Sequence, residues 1–589
     1  MPEPEPEPEP VPEEPEEPAA WRCGSCLLGI AAAVMLMRTR RPLASVLVHV
    51  NVNANTLHKL RDVHLWYLWY LWYLWRRLQR QRWRQRMYKR RRKSPTLELE
   101  LLDRATVRGR FRHVSVAPEV GVTVKKNMFT FPLDDLAAML EQFGLLDVRV
   151  VPVPSYVFVV PTLLVPLVPA PALSTKLYPF QREGVARAMR WGRALIADEM
   201  GLGKTVQALT LVRHYGGRAL IICPSYLTLN WVREGAAWGV ELHRIKSSKC
   251  PIPAENVVLS YDLAARRVHQ LGTFTTVVCD ESHYLKSHKT KRTRSLRALV
   301  QRTPHAFLLT GTPAANRPVE LYSQVSMLQP ACWSTYTNFV QRYCGAKCSP
   351  LGFVDVSGAT HKEELAFRLR EVCMIRRLKR DVLDLPPKVR TRVDLETKGT
   401  ANIRKGMARW QEINALEPLV PQDLVRERQC LVSELYRLTG DAKADAVRKY
   451  LLDLPTNVII FAYHQKMLDV ICATLECIRI DGRVPMDQRQ PLLDRFVAGD
   501  VPYAALGISA AGTGLTITSC STVIFAELYY VPGALLQAED RCHRIGQTST
   551  VDVRYLCATN TLDDHLWSMI QKKLRVTDAC LDARSDRSW

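Results

Sequence analysis

The sequence predicts an α/β protein with two parallel-sheet lobes that form a cleft, helical insertions and a small β-rich N-terminal domain. The first observation is that strand-like and helical segments alternate from residue 173 to about 329, and again from 444 to about 560. Such alternation is typical of a parallel sheet covered by helices. The second observation is a glycine-rich loop between a strand and a helix, which predicts an anion-binding loop at the carboxyl edge of the first sheet.

These patterns divide the 589 residues into five segments. Residues 1–96 are of low complexity, and residues 97–172 combine a small β-rich module with a proline-rich linker. Residues 173–394 form the first lobe, 395–443 a charged helical insertion, and 444–589 the second lobe with its tail. A chain of this length can bury a separate core in each of several domains.

The first segment begins with two unusual stretches. A Pro-Glu repeat at Pro2–Pro18 predicts an extended, disordered chain, because alternating proline and charge can neither pair as strands nor bury surface. The apolar stretch Cys23–Met37 is about fifteen residues long, shorter than the roughly twenty that span a bilayer. Its acidic leader is also unlike a signal peptide. We therefore favour a buried or interfacial helix over membrane insertion.

An aromatic repeat and a basic run complete this segment. Leu65–Trp75 repeats Leu-Trp-Tyr, and Arg76–Lys93 carries eleven bases. Aromatic rings beside a cationic track can bind single-stranded nucleic acid. An interfacial helix or a plain low-complexity tract fits the same residues, and all three interpretations stay open. The cluster Lys89–Lys93 is typical of a nuclear import signal and predicts localisation to the nucleus, although such clusters are often only solvated charge.

Charge and cysteine content limit the class of protein. The formal net charge is +23, and the eight acids of Glu3–Glu17 offset most of the bases of Arg76–Lys93, so the rest of the chain is itself basic. A basic body predicts a polyanionic partner. The 16 cysteines lack the spacing of a disulfide framework, which indicates a reducing compartment.

The loop Asp198–Thr205 carries the clearest chemistry in the sequence. The apolar strand Ala194–Ala197 leads into it, and a helical stretch follows it. Backbone N–H groups of such a loop face the phosphates of a nucleotide, while Lys204 adds a positive charge and the Thr205 hydroxyl can bind Mg²⁺. Asp198 stands where the general pattern has its first glycine. A glycine turn without a ligand is the alternative.

Two adjacent carboxylates follow a second β-rich segment. Asp280 can hold the water shell of a metal ion, and Glu281 can polarise the water that attacks a γ-phosphate. Adjacent acids after a strand usually form only a solvated turn. Their presence behind a phosphate loop in the same chain predicts a nucleotide hydrolase.

The second block of alternating segments supplies two arginines. Arg541 and Arg544 are three residues apart in a stretch that we predict to be helical, which would place them on one face. From there they could reach across the cleft to a γ-phosphate and stabilise the charge that develops during transfer. Arginine pairs are also common as surface salt-bridge partners.

Several motifs stand in the order found in one known family: Leu177–Gln181, Asp198–Thr205, Asp280–His283, Leu309–Pro313 and Gln537–Gln547. The chain resembles the SWI/SNF-like superfamily 2 ATPases and is most similar to their annealing-helicase branch, the HARP-type fork-remodelling proteins. Further segments resemble that branch, namely Met374–Val382, Leu385–Lys388, Ile478–Gly482, Val523–Leu528, Ser357–Ala359 and Asp563–Trp567. The resemblance covers about two thirds of the chain.

This resemblance implies two RecA-like lobes, with ATP and Mg²⁺ as cofactors. It implies that Gln181 reads adenine and that Thr205 and Asp280 hold Mg²⁺, partly through water. The residues that would carry catalysis are Lys204, Asp280, Glu281 and the arginine fingers Arg541 and Arg544. The residues that would bind the nucleotide are Gln181, Asp198, Glu199, Met200, Gly201, Leu202, Gly203, Lys204 and Thr205.

The resemblance also implies that both lobes grip double-stranded DNA. The candidate contacts are Pro224, Ser225, Ser260, Tyr261, Thr310, Gly311, Thr312 and Thr513. Backbone amides and hydroxyls at such positions suit phosphates, which position a protein without reading base sequence.

The expected function is that of a DNA-dependent ATPase that translocates on double-stranded DNA and rewinds or remodels branched DNA, alongside replication or repair proteins. Val114–Pro154 is loosely similar to the small domain of the HARP-type proteins through Met128–Leu133, and an unrelated β module is the alternative. We weigh two other functions: a nucleosome-remodelling ATPase, and a non-catalytic DNA-binding scaffold with a decayed motor. The intact Lys204 and Glu281 argue against decay.

Overall fold

The computed structural model describes residues 96–112, 128–136, 139, 149–151, 153–160, 176–348, 354–416, 422–508 and 517–582. The predictions made for residues 1–95 and for the proline-rich stretch 161–175 lie outside this range. Among the described residues, no helix is both long and apolar enough to cross a membrane.

The β-rich module is a four-stranded sheet in the order β3-β2-β1-β4. Its strands are β1 Thr96–Leu101, β2 Thr106–Arg112, β3 Met128–Pro132 and β4 Arg149–Val151. In β1 the buried Leu97, Leu99 and Leu101 alternate with acidic residues, the period expected of a strand with one face in a core. A 3-10 turn at Leu133–Asp135 follows β3.

The first lobe is a seven-stranded sheet in the order β13-β5-β10-β9-β6-β8-β7, and every pairing in it is parallel. Its strands are β5 Arg193–Ile196, β6 Ala219–Cys223, β7 His243–Arg244, β8 Val257–Ser260, β9 Thr276–Asp280, β10 His305–Leu309 and β13 Met374–Ile375. A separate short hairpin joins β11 Lys347–Cys348 to β12 Val354–Asp355.

Helices cover both faces of this sheet. They are α1 Pro179–Trp191, α2 Lys204–Tyr215, α3 Thr228–Ala237, α4 Tyr261–Arg266, α5 Lys291–Arg302, α6 Val319–Leu328, α7 Tyr336–Tyr343, α8 Lys362–Val372 and α9 Lys379–Val382. The central strands β6 and β9 are buried at every residue, as expected of parallel strands sandwiched between helices. Successive residues of β5 point into two different cores, one on each face.

The second lobe is a six-stranded parallel sheet in the order β14-β19-β18-β15-β17-β16. Its strands are β14 Lys388–Leu395, β15 Val458–Ala462, β16 Cys477–Ile480, β17 Tyr503–Gly507, β18 Thr522–Phe525 and β19 Val551–Ala558. Its helices are α10 Ala401–Ala415, α11 Gln422–Leu452, α12 Gln465–Thr474, α13 Met486–Ala498, α14 Pro532–Glu539 and α15 Leu562–Asp582. The predicted pair of parallel-sheet lobes is therefore confirmed.

One segment lies in a different lobe from the one we predict. Our division assigns residues up to 394 to the first lobe, but β14 pairs along its full length with β19 of the second sheet. All residues of β14 except Leu395 are exposed or half-buried. The strand therefore has no continuous apolar run that would indicate from the sequence which sheet it joins. The chain therefore passes to the second lobe between β13 and β14.

The last helix joins the two lobes. In its first half Leu566, Ile570 and Leu574 belong to the core of the second lobe, whereas Cys580 and Leu581 at its end belong to a core of the first lobe. Next to them, Arg376 Nε lies 2.7 Å from Asp582 Oδ1. The end of α15 is therefore part of the first lobe, although we predict it within the second.

The β-rich module docks directly on the first lobe. Arg342 donates from Nη2 to the carbonyl of Leu99 at 2.9 Å, and Glu364 accepts from the backbone N–H of Leu101 at 2.9 Å. Arg342 and Glu364 form a buried ion pair with each other. This interface fixes the orientation of the module on the first lobe.

Candidate nucleotide site between the lobes

The phosphate loop lies where the sequence predicts it, between β5 and α2. Gly201 and Gly203 have φ angles of 82° and 72°, in the left-handed region that other residues rarely adopt. Gly203 is the N-cap of α2 and Lys204 is its first residue. Positive-φ glycines before a helix N-terminus turn successive backbone N–H groups toward one concavity, a geometry that suits phosphate.

Lys204 lies across this loop. Its Nζ donates to the carbonyl oxygens of Asp198 at 2.9 Å and Glu199 at 3.2 Å. Burial lowers the pKa of Lys204, while the nearby carboxylates of Glu281 and Asp280 act in the opposite direction. The ammonium group is thus already inside the concavity, held by carbonyls that an incoming phosphate can replace.

Gln181 lies beside the loop, where the resemblance implies recognition of adenine. Its Nε2 donates to the carbonyl of Leu202 at 3.1 Å, and its Oε1 accepts from the N–H of Tyr178 at 3.0 Å. A Cβ atom on Gly203 would come within 2.4 Å of the Gln181 amide nitrogen, so only glycine fits there. Gln181 is therefore a brace for the loop in this structure.

Asp198, which we predict in the nucleotide-binding loop, has its side chain bound to protein groups. Its carboxylate is fully buried and accepts from Arg377 Nε at 2.9 Å, from the Arg377 backbone N–H at 3.1 Å, and from Gln207 Nε2 at 2.9 Å. Because both carboxylate oxygens accept hydrogen bonds from Arg377 and Gln207, the side chain attaches the loop to the segment after β13 and to α2. Glu199 is similar, since its Oε2 accepts from the N–H of Lys379 at 2.8 Å.

Sequence reasoning missed Arg377. Arg377 lies in the segment Met374–Val382, but no short-range pattern in the sequence connects this segment with Asp198, which is 179 residues before Arg377. The connection comes from β13, which pairs in parallel with β5 and continues alongside the phosphate loop. Arg377 also donates to the carbonyl of Phe180, so it ties α1 to the same loop.

The two adjacent carboxylates lie at the end of β9, as predicted. Asp280 accepts from Trp231 Nε1 at 2.9 Å and from the N–H of Glu281 at 2.9 Å. Burial, together with the charge of Glu281, raises the pKa of Asp280 to about 6. In this arrangement Asp280 is held rigidly by donors from two elements.

Glu281 adopts a strained conformation for a residue other than glycine, with φ of 50°. Its Oε2 lies 3.1 Å from His283 Nδ1 and, although buried, accepts no hydrogen bond of good geometry. Burial raises its pKa, but His283 and the positive charges of Lys204 and Arg541 outweigh this and lower it. Glu281 is thus kept ionised beside a lysine, as a group that polarises water must be.

Mg²⁺ fits these residues. Within the described part of the chain, no cluster of three or more side chains typical of metal ligands occurs. Mg²⁺ does not require one, because it keeps several waters and takes one or two protein oxygens together with phosphate oxygens. The buried, unsatisfied Glu281 Oε2 beside Asp280 provides the negative charge such a hydrated ion needs.

The arginines of the second lobe reach the site from a turn. Helix α14 ends at Glu539, so Arg541 and Arg544 do not share a helical face, contrary to our prediction. Burial lowers the pKa of Arg541. The negative charge of Glu281 acts in the opposite direction and raises this pKa. A Cβ atom on Gly201 would lie 3.0 Å from Arg544 Cβ, so Arg544 packs directly on the phosphate loop.

An ion-pair network explains why the chain turns there. Asp540 lies 2.9 Å from Lys379 Nζ on α9 of the first lobe and 2.8 Å from Lys388 Nζ at the start of β14. Glu539 pairs with Arg390 at 2.7 Å. These ion pairs hold Glu539 and Asp540 against α9 and β14, and so they set the direction of the turn that carries Arg541 and Arg544.

Most of the predicted DNA contacts are in the first lobe, and they differ in accessibility. Ser225 is exposed at the carboxyl end of β6, and Gly311 and Thr312 are half-buried in the loop after β10. Pro224 and Thr310 are buried, and Ser260 caps α4 by accepting from the N–H of Leu263 at 3.4 Å. Thr513 lies outside the described residues.

Tyr261 does not suit the predicted side-chain contact with DNA. It is 2% exposed, and its hydroxyl donates to the carbonyl of Asp280 at 2.8 Å. The aromatic ring packs in the core of the first lobe, so the hydroxyl supports the end of β9 and does not face solvent.

The loop after β10 couples the site to the second lobe. His283 Nδ1 lies 3.4 Å from Thr310 Oγ1, which in turn accepts from the N–H of Thr312 at 3.1 Å. A Cβ atom on Gly533 of α14 would lie 3.4 Å from Thr312 Cγ2. A chain of contacts therefore runs from the carboxylates at the end of β9 to the second lobe.

Two family models match this chain. Residues 180–401 match the family model described as the SNF2-related domain, and residues 442–546 match the helicase conserved C-terminal domain. A solved structure, the SWI2/SNF2 ATPase core of Sulfolobus solfataricus in complex with dsDNA, is 20% identical with a TM-score of 0.35, covering 73% of this chain and 96% of that chain.

Two curated relatives share long stretches with this chain. The DNA annealing helicase and endonuclease ZRANB3 of Mus musculus is 40% identical over 448 residues, which is 70% of this chain and 42% of the relative. The SWI/SNF-related matrix-associated actin-dependent regulator of chromatin subfamily A-like protein 1 homolog of Caenorhabditis elegans is 39% identical over 442 residues, which is 69% of this chain and 62% of the relative. The chain thus spans about half the length of these proteins.

Proposed function

We propose that this chain, which belongs to the SNF2-related family of helicase-like proteins, is an ATP-driven translocase on double-stranded DNA that rewinds or remodels branched DNA. The observation that carries the proposal is the contact between Arg544 of the second lobe and Gly201 of the phosphate loop. The nucleotide site is complete only when both lobes meet, which is what a motor needs in order to couple hydrolysis to movement between its lobes.

Each group at the site has a place in hydrolysis. Lys204 and the loop N–H groups would bind the β- and γ-phosphates, and Thr205 and Asp280 would hold Mg²⁺, which supplies charge neutralisation at the phosphates. Glu281 would orient and polarise the attacking water. Arg541 and Arg544 would stabilise the charge that develops on the γ-phosphate, as arginine fingers do in related phosphoryl transfers.

The proposed DNA track follows from the position of the loops. Ser225 follows β6 and Thr312 follows β10, the two strands on either side of β9 in the first sheet, at the edge where the phosphate loop also lies. Thr312 in addition touches the second lobe at Gly533. A phosphate held at Thr312 would therefore be displaced whenever the lobes change their separation, and this links hydrolysis to stepping.

The β-rich module is the proposed reader of branched DNA. Its strand β1 is hydrogen-bonded to Arg342 and Glu364 of the first lobe, which form a buried ion pair with each other, so the module holds a constant position relative to the track. This differs from a flexibly linked binding domain, which would add affinity without fixing geometry. Nuclear localisation and association with replication or repair proteins complete the proposal, and they rest on the basic cluster Lys89–Lys93 and on the family.

Two other functions are less well supported. Nucleosome remodelling would use the same motor, but the relatives include proteins named DNA annealing helicases. A scaffold with a decayed motor conflicts with a site in which the charges of Lys204 and Arg541 both lower the pKa of Glu281 and so keep it ionised.

One experiment compares ATP hydrolysis with single-stranded, duplex, forked and nucleosomal DNA at equal nucleotide concentration. We expect the highest rate with forked DNA, a lower rate with linear duplex, and no extra stimulation by nucleosomes. Stimulation should fall steeply with salt, because contacts to phosphates release counterions. Hydrolysis that is independent of DNA, or highest with nucleosomes, would contradict the proposal.

A further inference from the structure

Two cysteines of the second lobe lie close together at the edge of its sheet, where they pack against one of its cores. Cys472 is in the last turn of α12, and Cys477 is the first residue of β16. Their sulfur atoms are 3.3 Å apart, and both residues are half-buried. Sulfur atoms in a disulfide are about 2.05 Å apart, so these two need to approach by only a little more than about 1 Å.

The position of β16 makes this approach easy. β16 is the edge strand of the six-stranded sheet, bonded only to β17 on one side among the described strands. Four residues join Cys472 to Cys477, and they leave the helix for the strand without crossing another element. Both cysteines and Leu475 of the turn pack against a core of the second lobe, so a local shift of this short turn is the movement that brings the sulfurs together.

A cation lies beside the pair. Arg479 is two residues after Cys477, so both point to the same face of β16, while Ile478 and Ile480 point into the core. The guanidinium is fixed by Asp469 at 2.6 Å and by Asp481 at 2.8 Å. Its position next to the sulfurs favours a thiolate.

We propose that Cys472 and Cys477 form a reversible thiol–disulfide site, with a peroxide as the oxidising substrate and a dithiol as the reductant. The geometry assigns different roles to the two sulfurs, because Cys477 donates its S–H to Cys472. That hydrogen bond, assisted by Arg479, lowers the pKa of Cys472 to about 7 and raises that of Cys477. Cys472 is thus the attacking thiolate and Cys477 the resolving thiol.

The oxidation balances in two steps. The Cys472 thiolate attacks one peroxide oxygen, so that an S–O bond forms, the O–O bond breaks, and the leaving hydroxide takes a proton to become water. The Cys477 sulfur then attacks the sulfenic sulfur of Cys472, so that the S–S bond forms and the S–O bond breaks, releasing a second water. A dithiol reverses the change by thiol–disulfide exchange, returning two electrons and two protons to the pair.

The chain contains matched controls. Cys430 is exposed on α11 and tests whether any accessible thiol reacts. Cys520 and Cys542 are a second neighbouring pair, but both are completely buried and should be protected in the native protein. At pH 7 an ordinary thiol with pKa of about 8.5 is roughly 3% thiolate, whereas a thiol with pKa of about 7 is half ionised. Cys472 should therefore react with peroxide about tenfold faster than an ordinary exposed thiol.

The test treats the reduced full chain with one equivalent of hydrogen peroxide at pH 7, blocks the remaining thiols with N-ethylmaleimide, and analyses tryptic peptides by mass spectrometry. Cys472 and Cys477 fall in one peptide, residues 467–479, which contains no other cysteine. We expect this peptide to lose both labels and about two mass units, to recover both labels after treatment with dithiothreitol, and to react before the peptide that holds Cys430.

Two variants identify the roles. In Cys477→Ser, peroxide should leave a sulfenic acid on Cys472, which dimedone traps. In Cys472→Ser, Cys477 should not react with peroxide and should still be labelled by N-ethylmaleimide. Cys430→Ser should behave as the parent chain does. Retention of both labels on peptide 467–479 while Cys430 oxidises would overturn the proposal, as would a dimedone adduct on Cys472 in the parent chain. The decisive labelling is done on the parent chain and needs no variant to fold.

Discussion

Arg377 and Asp198 form a two-point ion pair behind the phosphate loop, with Nε 2.9 Å from Oδ1 and Nη2 2.5 Å from Oδ2. Asp198 is completely buried, and its partner lies two residues after β13, the strand that pairs with β5. A buried carboxylate needs such a partner because the cost of removing it from water is large. The pair fixes the loop from the side opposite to the nucleotide.

Arg377→Ala should therefore weaken nucleotide binding and reduce stability, although Arg377 makes no proposed contact with ATP. Removing one member of a buried pair typically costs about 3–5 kcal/mol. The measurements are calorimetric ATP affinity and the thermal unfolding midpoint. Arg380→Ala, three residues away and exposed, is the control and should change neither. Unchanged ATP affinity in Arg377→Ala would show that the pair does not position the loop.

Lys204→Ala should lower ATP hydrolysis by several orders of magnitude and leave DNA binding intact. The ammonium group is the cation that lies inside the phosphate concavity, and its charge acts on the transferring phosphate. Steady-state hydrolysis and fluorescence anisotropy with labelled duplex measure the two effects. Lys572→Ala, on the exposed face of α15, is the control. If Lys204→Ala hydrolyses ATP at nearly the parental rate, the assignment of Lys204 to the phosphate-binding site is wrong.

Arg544→Ala should abolish turnover with little effect on ATP affinity, because an arginine finger acts on charge that exists mainly in the transition state. The comparison is kcat against the dissociation constant of ATP. Arg495→Ala, exposed on α13, serves as the control. If ATP affinity falls by the same factor as kcat, Arg544 binds ATP already in the ground state and does not act mainly on the transition state.

Gly201→Ala tests the same lobe contact from the other side. A methyl group at Gly201 meets Arg544 Cβ at 3.0 Å and requires a φ of 82° that alanine resists. We expect hydrolysis to fall at least tenfold while the fold is kept, as checked by circular dichroism. A rate equal to that of the parent chain would mean that the two lobes do not close in this way during catalysis.

Stability should depend on Glu539 in a defined pH range. Burial raises the pKa of Glu539, but the charges of Arg390 and Lys388 outweigh it and lower the pKa from 4.5 to about 2. A carboxyl group whose pKa is lower in the folded state stabilises the protein above its unfolded pKa, and this contribution is lost as pH falls toward the folded pKa. The shift corresponds to about 3 kcal/mol.

The check is urea unfolding of the parent chain and Glu539→Gln between about pH 6 and pH 2.5. The difference in stability should be largest above about pH 5 and should shrink as the pH falls. A difference that stays constant over this range would show that the carboxylate charge is not the source of the stabilisation.

Discrimination between forked and linear DNA should depend on docking of the β-rich module. Arg104 and Arg108 pair with Glu371 and Glu363 of α8 around the buried ion pair. The double variant Arg104→Glu and Arg108→Glu places like charges opposite each other. We expect it to keep ATP hydrolysis stimulated by linear duplex and to lose the preference for forks.

The matched control restores the pairs with their signs exchanged. Adding Glu363→Arg and Glu371→Arg to the double variant should bring back the preference for forks. If the double variant still remodels forks as the parent chain does, the module is not the reader.

The sequence by itself determined the local parts of this protein. The apolar strand, the glycine loop and the following helix form one continuous segment, so β5, the phosphate loop and α2 lie where we predict them. The acids Asp280 and Glu281 also lie at the end of a strand, as predicted, because a buried β-branched run that ends in charge must emerge at a sheet edge. Alternation of strands and helices was sufficient to predict both parallel sheets.

Only the tertiary structure decided which distant residues meet. Arg377 reaches Asp198 because β13 is placed beside β5, and the helix that we predict through Arg541 ends earlier because Lys379 and Lys388 hold Asp540. The assignment of β14 to the second sheet and the burial of Cys580 in the first lobe also follow from pairing and packing partners far away in the chain. Local propensity carries no information about such partners, since their energies arise only when the sheets and cores have formed.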